Sequence, residues 1–356
     1  MRHTIIANPE LTPEALSADV QKVHAALSAL QFGPATRYVM VKSPPIGLGG
    51  QITGRIVGLA LGLSSGRKTI FPSLADPPYA QSYAPMSDLS VEDIPAIEPV
   101  SHTALQSDAP LVVYDPLALG VSHSELDELV LKEIIRKLNL RIDQKTLKGA
   151  IFRWLPLVQE TQSFYAEKKL ELGVGRETLG VHVRRGDKQV ETAFVPVSAV
   201  NEAICRIYKT WKFRSIYLAS DNEKVVGELA PPEGVSVIFD TTEQRYNNAN
   251  HRMLIENPAL ARQETLSATK NIYLLASCGG VVGQDNAHFA TVSAAALLAD
   301  GIPPAHIELI DGRLVEKRSL MVRVAFAAKR QLREVAKMLL PGLRATARME
   351  RTRSGQ

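Results

Sequence analysis

The stretch that decides the fold is residues 178–220, TLGVHVRRGDKQVETAFVPVSAVNEAICRIYKTWKFRSIYLAS. It contains two short apolar runs, TLGVHV (178–183) and SIYLAS (215–220), on either side of a segment with helical spacing of its apolar residues, 197–212. Buried strands that alternate with helices are typical of a parallel sheet covered by helices on both faces. The stretch therefore predicts a strand–helix–strand unit.

The same alternation continues in both directions along the chain. Before residue 174, the pattern predicts strands at 37–45, 68–71 and 110–115 and helices at 11–31, 52–65 and 123–172. Thr12 is the predicted cap of the first helix, and Pro156 is expected to divide the last one. The pattern after residue 220 predicts helices at 222–229, 259–277 and 288–299, with strands at 235–240, 279–283 and 306–310. Because the alternation occurs twice, we predict an α/β fold of two Rossmann-like domains facing a cleft, residues 1–174 and 175–312.

Composition narrows the class of protein. The chain has 356 residues, of which 45% are hydrophobic, and its N-terminus lacks the pattern of a secretory signal. No apolar run reaches the roughly 18–20 residues that span a bilayer. The two cysteines, Cys205 and Cys278, cannot form a disulfide framework or a four-ligand zinc site. We therefore expect a cytoplasmic protein of two domains.

Positive charge is concentrated at the C-terminal end. Residues 317–356 carry eleven Lys and Arg and two Glu, a net charge of +9, so the rest of the chain is mildly acidic. One aromatic residue, Phe326, lies in this region, which argues against nucleic-acid binding. We predict an amphipathic helix at 313–341 and a basic, disordered tail at 342–356. The helix can pack onto the domains, and the tail can contact an anionic membrane.

Polar residues follow the predicted strands at the edge where doubly wound sheets bind ligands. In the first half, the glycine-rich residues 46–51 follow the first strand and include Gly49, Gly50 and Gln51. In the second half the residues after the strands are Arg184, Arg185, Asp187, Lys188, Glu191, Asp221, Asn222, Gln284, Asp285, Asn286 and His288. We expect these side chains to line one cleft.

The residue types in this cleft favour a diphosphate. A guanidinium matches phosphate oxygens, and glycines admit a phosphate to backbone N–H groups at the start of a helix. The motifs GxxxxGK[ST] and GxGxxG are absent, so the chemistry of nucleoside triphosphatases and of NAD enzymes is not indicated. Three simpler interpretations stay open: a solvated arginine pair, a plain glycine turn, and a core histidine at His182.

Several of these segments resemble the α-1,6-fucosyltransferase family, which includes core and nodulation-factor fucosyltransferases. VHVRRGDKQVETAF (181–194) is similar to the family signature HVRR-x-DK-x-x-x-E-x-AF, with Glu191 one residue nearer the lysine. GLGGQ (47–51) resembles the family's glycine loop, and IYLASDN (216–222) its second motif. NIYLLASCGGVVGQDNAHFATVSA (271–294) resembles the third motif. The resemblance covers about a third of the chain.

The resemblance implies a GT-B-like inverting glycosyltransferase that transfers fucose, or a related deoxyhexose, from GDP-fucose. The acceptor would be a saccharide or a lipid-linked glycan, and neither a metal nor another cofactor would be required. By position, Arg184 would contact the donor diphosphate with Arg185 in support, and His182 would contact guanine or ribose. Asp187 and Lys188 would lie on the acceptor side, with Glu191 as the candidate base. Further donor contacts implied by the motifs are Gly49, Gly50, Gln51, Asp221, Asn222, Asn271, Asn286 and His288.

Two departures from the family pattern affect the donor. Asn271 stands where relatives carry a carboxylate that accepts from guanine, and Asp285 introduces a negative charge into a turn that faces phosphate. A donor with another base or sugar is therefore an alternative. So is a nucleotide-sugar-binding protein without turnover.

Overall fold

The computed structural model describes residues 17–42, 47–71, 82–84, 86, 105–114, 123–185, 195–243 and 256–311. Several predicted features lie outside the described residues: Thr12, the acceptor-side residues Asp187, Lys188 and Glu191, and the whole C-terminal segment from residue 312. The first described helix begins at Ala18 with Ser17 as its N-cap, so the predicted start of this helix after a cap at Thr12 was wrong. Residues 1–313 belong to one compact unit. All structural statements below concern the described part of that unit.

The first half is built on a small parallel sheet. Strands β1 (Tyr38–Val41), β2 (Lys68–Ile70) and β3 (Leu111–Tyr114) are parallel in the order β2-β1-β3. The helices are α1 (Ala18–Phe32), α2 (Leu48–Ser65), α3 (His123–Lys137), α4 (Gln144–Trp154) and α5 (Gln159–Leu172). Pro156 lies between α4 and α5, so the predicted division of the helical segment is confirmed.

The second half contains a parallel sheet of five strands. These are β4 (Thr178–Val183), β5 (Ser215–Ser220), β6 (Ser236–Ile238), β7 (Gly280–Gln284) and β8 (Ile307–Ile310), in the order β6-β5-β4-β7-β8. The helices are α6 (Val197–Thr210), α7 (Pro258–Ser277) and α8 (His288–Ala299), with 3-10 helices at Glu223–Glu228 and Pro304–His306. The strand order reverses between β4 and β7, which is the position where such sheets open a crevice for a ligand. The predicted α/β fold is confirmed.

One hydrophobic core contacts both sheets, and a second core lies between the five-stranded sheet and α6. Side chains of α2, α7 and α8, such as Ile52, Ile272 and Leu297, belong to the same buried cluster. Helices α4 and α8 cross closely at Gly149, where a Cβ atom would overlap the carbonyl of Ala295. The predicted boundary near residue 174 falls between α5 and β4. None of the helices within the described ranges is long and apolar enough to cross a membrane.

Helix α2 begins earlier than the sequence pattern predicts. We expected a glycine loop over 46–51 and a helix from 52, but the helix begins at Leu48 and includes Gly49, Gly50 and Gln51. The prediction was wrong because glycine has a low helix propensity and was interpreted as loop. Tertiary packing against α8 overrides that propensity.

Candidate functional site

Two helix N-termini meet at the edge of the second sheet. Helix α8 begins at His288, directly after β7, and its N-cap Ala287 has no side chain that could cap the helix. Helix α2 begins after β1 with Gly47 as its N-cap, which also lacks a side-chain cap. The positive ends of both helix dipoles therefore lie at this edge, where they favour an anion.

Gly49 permits the close approach of these two helices. A Cβ atom at position 49 would lie 2.7 Å from the Cβ of His288 and 3.0 Å from the ring of Phe289. The hydroxyl Oγ1 of Thr53, one turn further along α2, lies 3.0 Å from Nδ1 of His288. The small size of Gly49 thus serves helix packing. In the same turn, Gly50 donates its backbone N–H to the carbonyl of Gly47 at 3.0 Å.

The two adjacent arginines after β4 have different environments. Arg185 donates from both Nη atoms to the carboxylate of Glu228, at 3.2 and 2.8 Å. Its backbone N–H donates to Oδ1 of Asp221 at 2.7 Å. Arg184 is half-buried at the end of β4. The ion pair with Glu228 directs Arg185 along the β5 side of the sheet, as expected if its neighbour faces the crevice.

Asp221 and Asn222 stabilise the local backbone. Asp221 accepts from the N–H of Arg185, as described above, and so fixes the arginine segment against the end of β5. Asn222 is the N-cap of the 3-10 helix Glu223–Glu228, because its Oδ1 accepts from the N–H of Lys224 at 2.9 Å. The donor contacts that the family motif implies for these two residues stay predictions.

His182 lies at the crevice between β4 and β7. The residue is 7% exposed, and its ring stacks on that of Phe289 with centroids 5.4 Å apart. Gly283 of β7 lies beside it, since a Cβ atom there would be 3.5 Å from the Cβ of His182. Packing thereby fixes the ring next to the start of α8.

A cavity of about 420 Å³ adjoins the helix N-termini. Polar side chains on its lining come from α2, α4 and α8 and from the turn after β7: Thr53, Lys148, Asp285, Asn286, His288 and Thr291. It therefore brings together Asn286 and His288, which the sequence singled out, with Thr53 and Lys148, which it did not. Lys148 had no sequence signal, because its helix carries no motif and reaches the site only through packing on α8.

Asn271 belongs to a buried polar network. Its Oδ1 accepts from the hydroxyl of Tyr217 at 2.5 Å, and its Nδ2 donates to Glu243 at 2.5 Å. Next to it, Nζ of Lys270 donates to Asp240 at 2.6 Å and to Glu243 at 3.4 Å. Burial alone would raise the pKa of Asp240, but the hydrogen bonds from Lys270 and Thr242 outweigh it and hold the pKa at about 2.

A second cavity, of about 310 Å³, borders this network. Asp240 and Glu243 line it together with Lys168, Arg262 and Ser267. Glu264 lies nearby, and its pKa is raised to about 8 by burial and by the negative charge of Glu243. Of the residues in this network and its cavity, the sequence analysis singled out only Asn271, as a donor contact. Asp240 was the one further member that could have been predicted, because it ends the predicted strand 235–240, at the edge where doubly wound sheets bind ligands.

Comparisons with known proteins give distant structural neighbours. Neither a protein-family model nor a curated protein matches the sequence. A mutant of Arabidopsis thaliana FUT1 in complex with GDP is 12% identical, covers 80% of this chain and 78% of its own, and has a TM-score of 0.49. NodZ α-1,6-fucosyltransferase soaked with GDP-fucose is 16% identical, covers 73% and 92%, and has a TM-score of 0.42. POFUT1 in complex with GDP-fucose is 9% identical, covers 80% and 100%, and has a TM-score of 0.45.

Proposed function

We propose that this protein is an inverting glycosyltransferase that transfers fucose, or a related deoxyhexose, from a GDP-sugar to a saccharide acceptor. The observation that carries the proposal is the meeting of two helix N-termini without side-chain caps at the strand-order reversal, where Arg184 follows strand β4 in the sequence. A diphosphate fits this arrangement because helix ends and a guanidinium both favour oxyanions. The choice of fucose and guanine comes from the family-like motifs over 178–194 and 271–294.

In the proposed reaction, an acceptor hydroxyl attacks the anomeric carbon of the donor sugar. The new C–O bond forms while the bond from that carbon to the β-phosphate oxygen breaks, and the nucleoside diphosphate leaves. Arg184 and the two helix ends stabilise the negative charge that develops on the leaving group. The hydroxyl proton passes to a carboxylate within hydrogen-bond reach, for which Glu191 is the candidate that the resemblance gives.

The hydrogen bonds of Asn271 favour a second candidate, a transferase with another nucleotide donor. The Oδ1 atom of Asn271 already accepts from Tyr217, and its Nδ2 donates to Glu243. Asn271 therefore does not replace the carboxylate that accepts from guanine in the family pattern. Thermal unfolding in the presence of GDP, UDP, CDP or ADP separates the two candidates. We expect GDP to give the largest rise in midpoint. A larger rise with another nucleotide would favour the second candidate, and no rise with any of them would contradict both.

Turnover separates an enzyme from a nucleotide-sugar-binding protein. In the proposed reaction, water can take the place of the acceptor hydroxyl when no acceptor is present. We therefore expect the purified protein to release GDP and free sugar from GDP-fucose over hours. The matched control is the Arg184→Ala variant, in which release should fall to the level without protein. Tight GDP binding with no release, with or without added saccharides, would favour the non-catalytic alternative.

We also propose that the basic tail, residues 342–356, brings the protein to an anionic membrane, where a lipid-linked acceptor would be found. Each basic residue near such a surface contributes up to about 1 kcal/mol. Co-sedimentation with anionic vesicles should be lost at high salt and after deletion of 342–356, and it should not occur with neutral vesicles. Failure of the full-length protein to bind anionic vesicles at low salt would contradict this proposal.

A further inference from the structure

Arg55 is a buried arginine whose charge is not balanced by a carboxylate of any described residue. It lies on α2, one turn after Gln51, and is 4% exposed. Its Nε and Nη1 atoms are buried and make no hydrogen bond to any described residue. Burial lowers its pKa, and within the described residues the only groups that act in the opposite direction are Tyr83 and Tyr273.

Two other buried arginines of this chain differ from Arg55. Arg67 donates to the carbonyl oxygens of a loop and of β1: Leu105, Ser107, Ala109 and Tyr38. Arg153 forms a two-point ion pair with Asp300, at 3.0 and 2.5 Å, and also donates to the carbonyl of Ala276. A buried guanidinium is thus normally saturated with acceptors in this protein, and Arg55 is the exception among the three.

Aromatic rings give Arg55 only part of the stabilisation that its burial requires. The guanidinium carbon lies 5.1 Å from the ring centre of Tyr83 and 5.8 Å from that of Phe71. The attraction between a cation and an aromatic ring offsets only part of the free-energy cost of burying an ion. An acceptor with a negative charge would supply the difference.

Two tyrosine hydroxyls are buried beside Arg55. The hydroxyls of Tyr83 and Tyr273 interact with each other, and neither has a further hydrogen-bond partner among the described residues. Burial raises the pKa of both groups, so each remains a protonated donor. Packing holds Tyr273 in place through ring contacts with Phe152 and Tyr165, whose ring centres lie 4.9 and 5.7 Å away. Because one hydroxyl of the pair donates to the other, the guanidinium and one O–H group of the tyrosine pair are left as donors on rigid side chains.

We infer that Arg55, Tyr83 and Tyr273 form a receptor for an oxyanion, the carboxylate or phosphate group of an acidic saccharide acceptor. Arg55 lies about 9 Å along α2 from Gly49, at 1.5 Å per residue, so this anion is a different group from the diphosphate at the helix N-termini. The assignment to the acceptor rests on the proposed function. The anion site itself does not depend on it.

The test measures thermal unfolding of the full-length protein in phosphate or glucuronate against chloride at equal ionic strength. We expect the midpoint of the wild-type protein to rise with the logarithm of the anion concentration, by about 2 °C at ten times the dissociation constant. Inorganic phosphate and glucuronate represent the two oxyanions, and the larger rise identifies the one preferred. The rise should vanish in Arg55→Met. Without added anion, that variant should unfold at the same or a higher temperature than wild type, because an uncompensated charge is removed.

Two tyrosine variants keep the test decisive if Arg55→Met does not fold. Tyr83→Phe retains the ring over the guanidinium and removes one donor, so anion affinity should fall roughly tenfold. Tyr165→Phe is the matched control, because the Tyr165 hydroxyl already has a hydrogen-bond partner, Ser277, at 2.5 Å. That variant should unfold at a lower temperature with an unchanged anion response. Equal responses of wild type and Tyr83→Phe, or no response of wild type to either anion, would overturn the inference.

GDP binding distinguishes failure of this inference from failure of the proposed function. Calorimetric titration of wild type with GDP tests the nucleotide site alone. If GDP binds but the anions do not raise the midpoint, the anion receptor at Arg55 is contradicted and the proposed function is not. If the anions raise the midpoint but GDP does not bind, the anion receptor is supported, and its interpretation as a site for the saccharide acceptor is contradicted.

Discussion

Nδ1 of His288 and Oγ1 of Thr53 lie 3.0 Å apart, although the two residues are 235 positions apart in the sequence. The contact joins the first turn of α8, in the second half of the unit, to α2 in the first half. It fixes the two helix N-termini relative to each other. The charge that they present to an anion therefore depends on the packing of two helices rather than on a flexible loop.

We predict that Gly49→Ala destabilises the protein, because the new methyl group would lie 2.7 Å from the Cβ of His288. Overpacking of this kind costs about 1–3 kcal/mol, which exceeds the gain in helix propensity. GDP affinity should fall as well, since α2 and α8 must separate. Chemical denaturation and calorimetry measure the two effects. Gly54→Ala on the same helix is the control: a Cβ there meets nothing within 4 Å, so we expect stabilisation of about 0.5–1 kcal/mol.

We predict that Arg184→Ala lowers GDP affinity by about 10- to 100-fold, the effect of losing a charge-assisted hydrogen bond. Arg184→Lys should fail too, because an ammonium cannot make the bidentate contact. Arg185→Ala should change affinity much less, since its guanidinium is bound to Glu228. Glu228→Gln breaks the same ion pair and should behave like Arg185→Ala in the same titrations. Unchanged affinity in Arg184→Ala would remove Arg184 from the diphosphate site.

Strand and helix positions in the second half could be predicted closely from the sequence. The bounds of β4, β5 and α8 agree with the predicted 178–183, 215–220 and 288–299, because each apolar segment is bordered by polar or turn residues. Asn286 and His288 were predicted to line one cleft because they follow a strand, and both line the same cavity. These features are local in sequence, and local patterns are sufficient to predict them.

Other parts of the site depend on contacts between distant segments. The predicted contact of Gly49 with a phosphate stays a prediction, and the close packing of Gly49 on α8 was not predicted. Lys148, Glu243 and the Arg55 cluster carry no motif, and their neighbours come from elements far along the chain. A helical glycine and a buried arginine have the same sequence pattern whatever they pack against, so long-range packing could not be predicted.

We predict that turnover requires no added metal and persists in EDTA. In the proposed site, Arg184 and the two helix N-termini would supply positive charge to a leaving diphosphate, the role that Mg²⁺ or Mn²⁺ has in metal-dependent transferases. The measurement is GDP release from GDP-fucose in metal-free buffer with and without EDTA. Activity that EDTA abolishes and Mn²⁺ restores would contradict the prediction.

The buried pair of Asp240 and Lys270 predicts a pH-dependent contribution to stability. The two side chains are 4% and 1% exposed, with Nζ 2.6 Å from Oδ2. The folded-state pKa of Asp240, about 2, lies below its ordinary value of 3.8. The stabilisation is therefore complete above about pH 4 and is lost as the pH falls towards 2.

Asp240→Asn tests this pair, because it leaves the ammonium of Lys270 buried with only Glu243, at 3.4 Å, as a charged partner among the described residues. We expect a loss of about 3 kcal/mol in the free energy of unfolding at pH 7, measured with urea, and a smaller loss at pH 3. The double variant Asp240→Asn with Lys270→Met should recover most of it. Glu308→Gln, which breaks the exposed pair with Arg206, is the control and should change stability by less than about 1 kcal/mol. An equal loss from Asp240→Asn at pH 7 and pH 2 would show that its carboxylate is not the source of the stability.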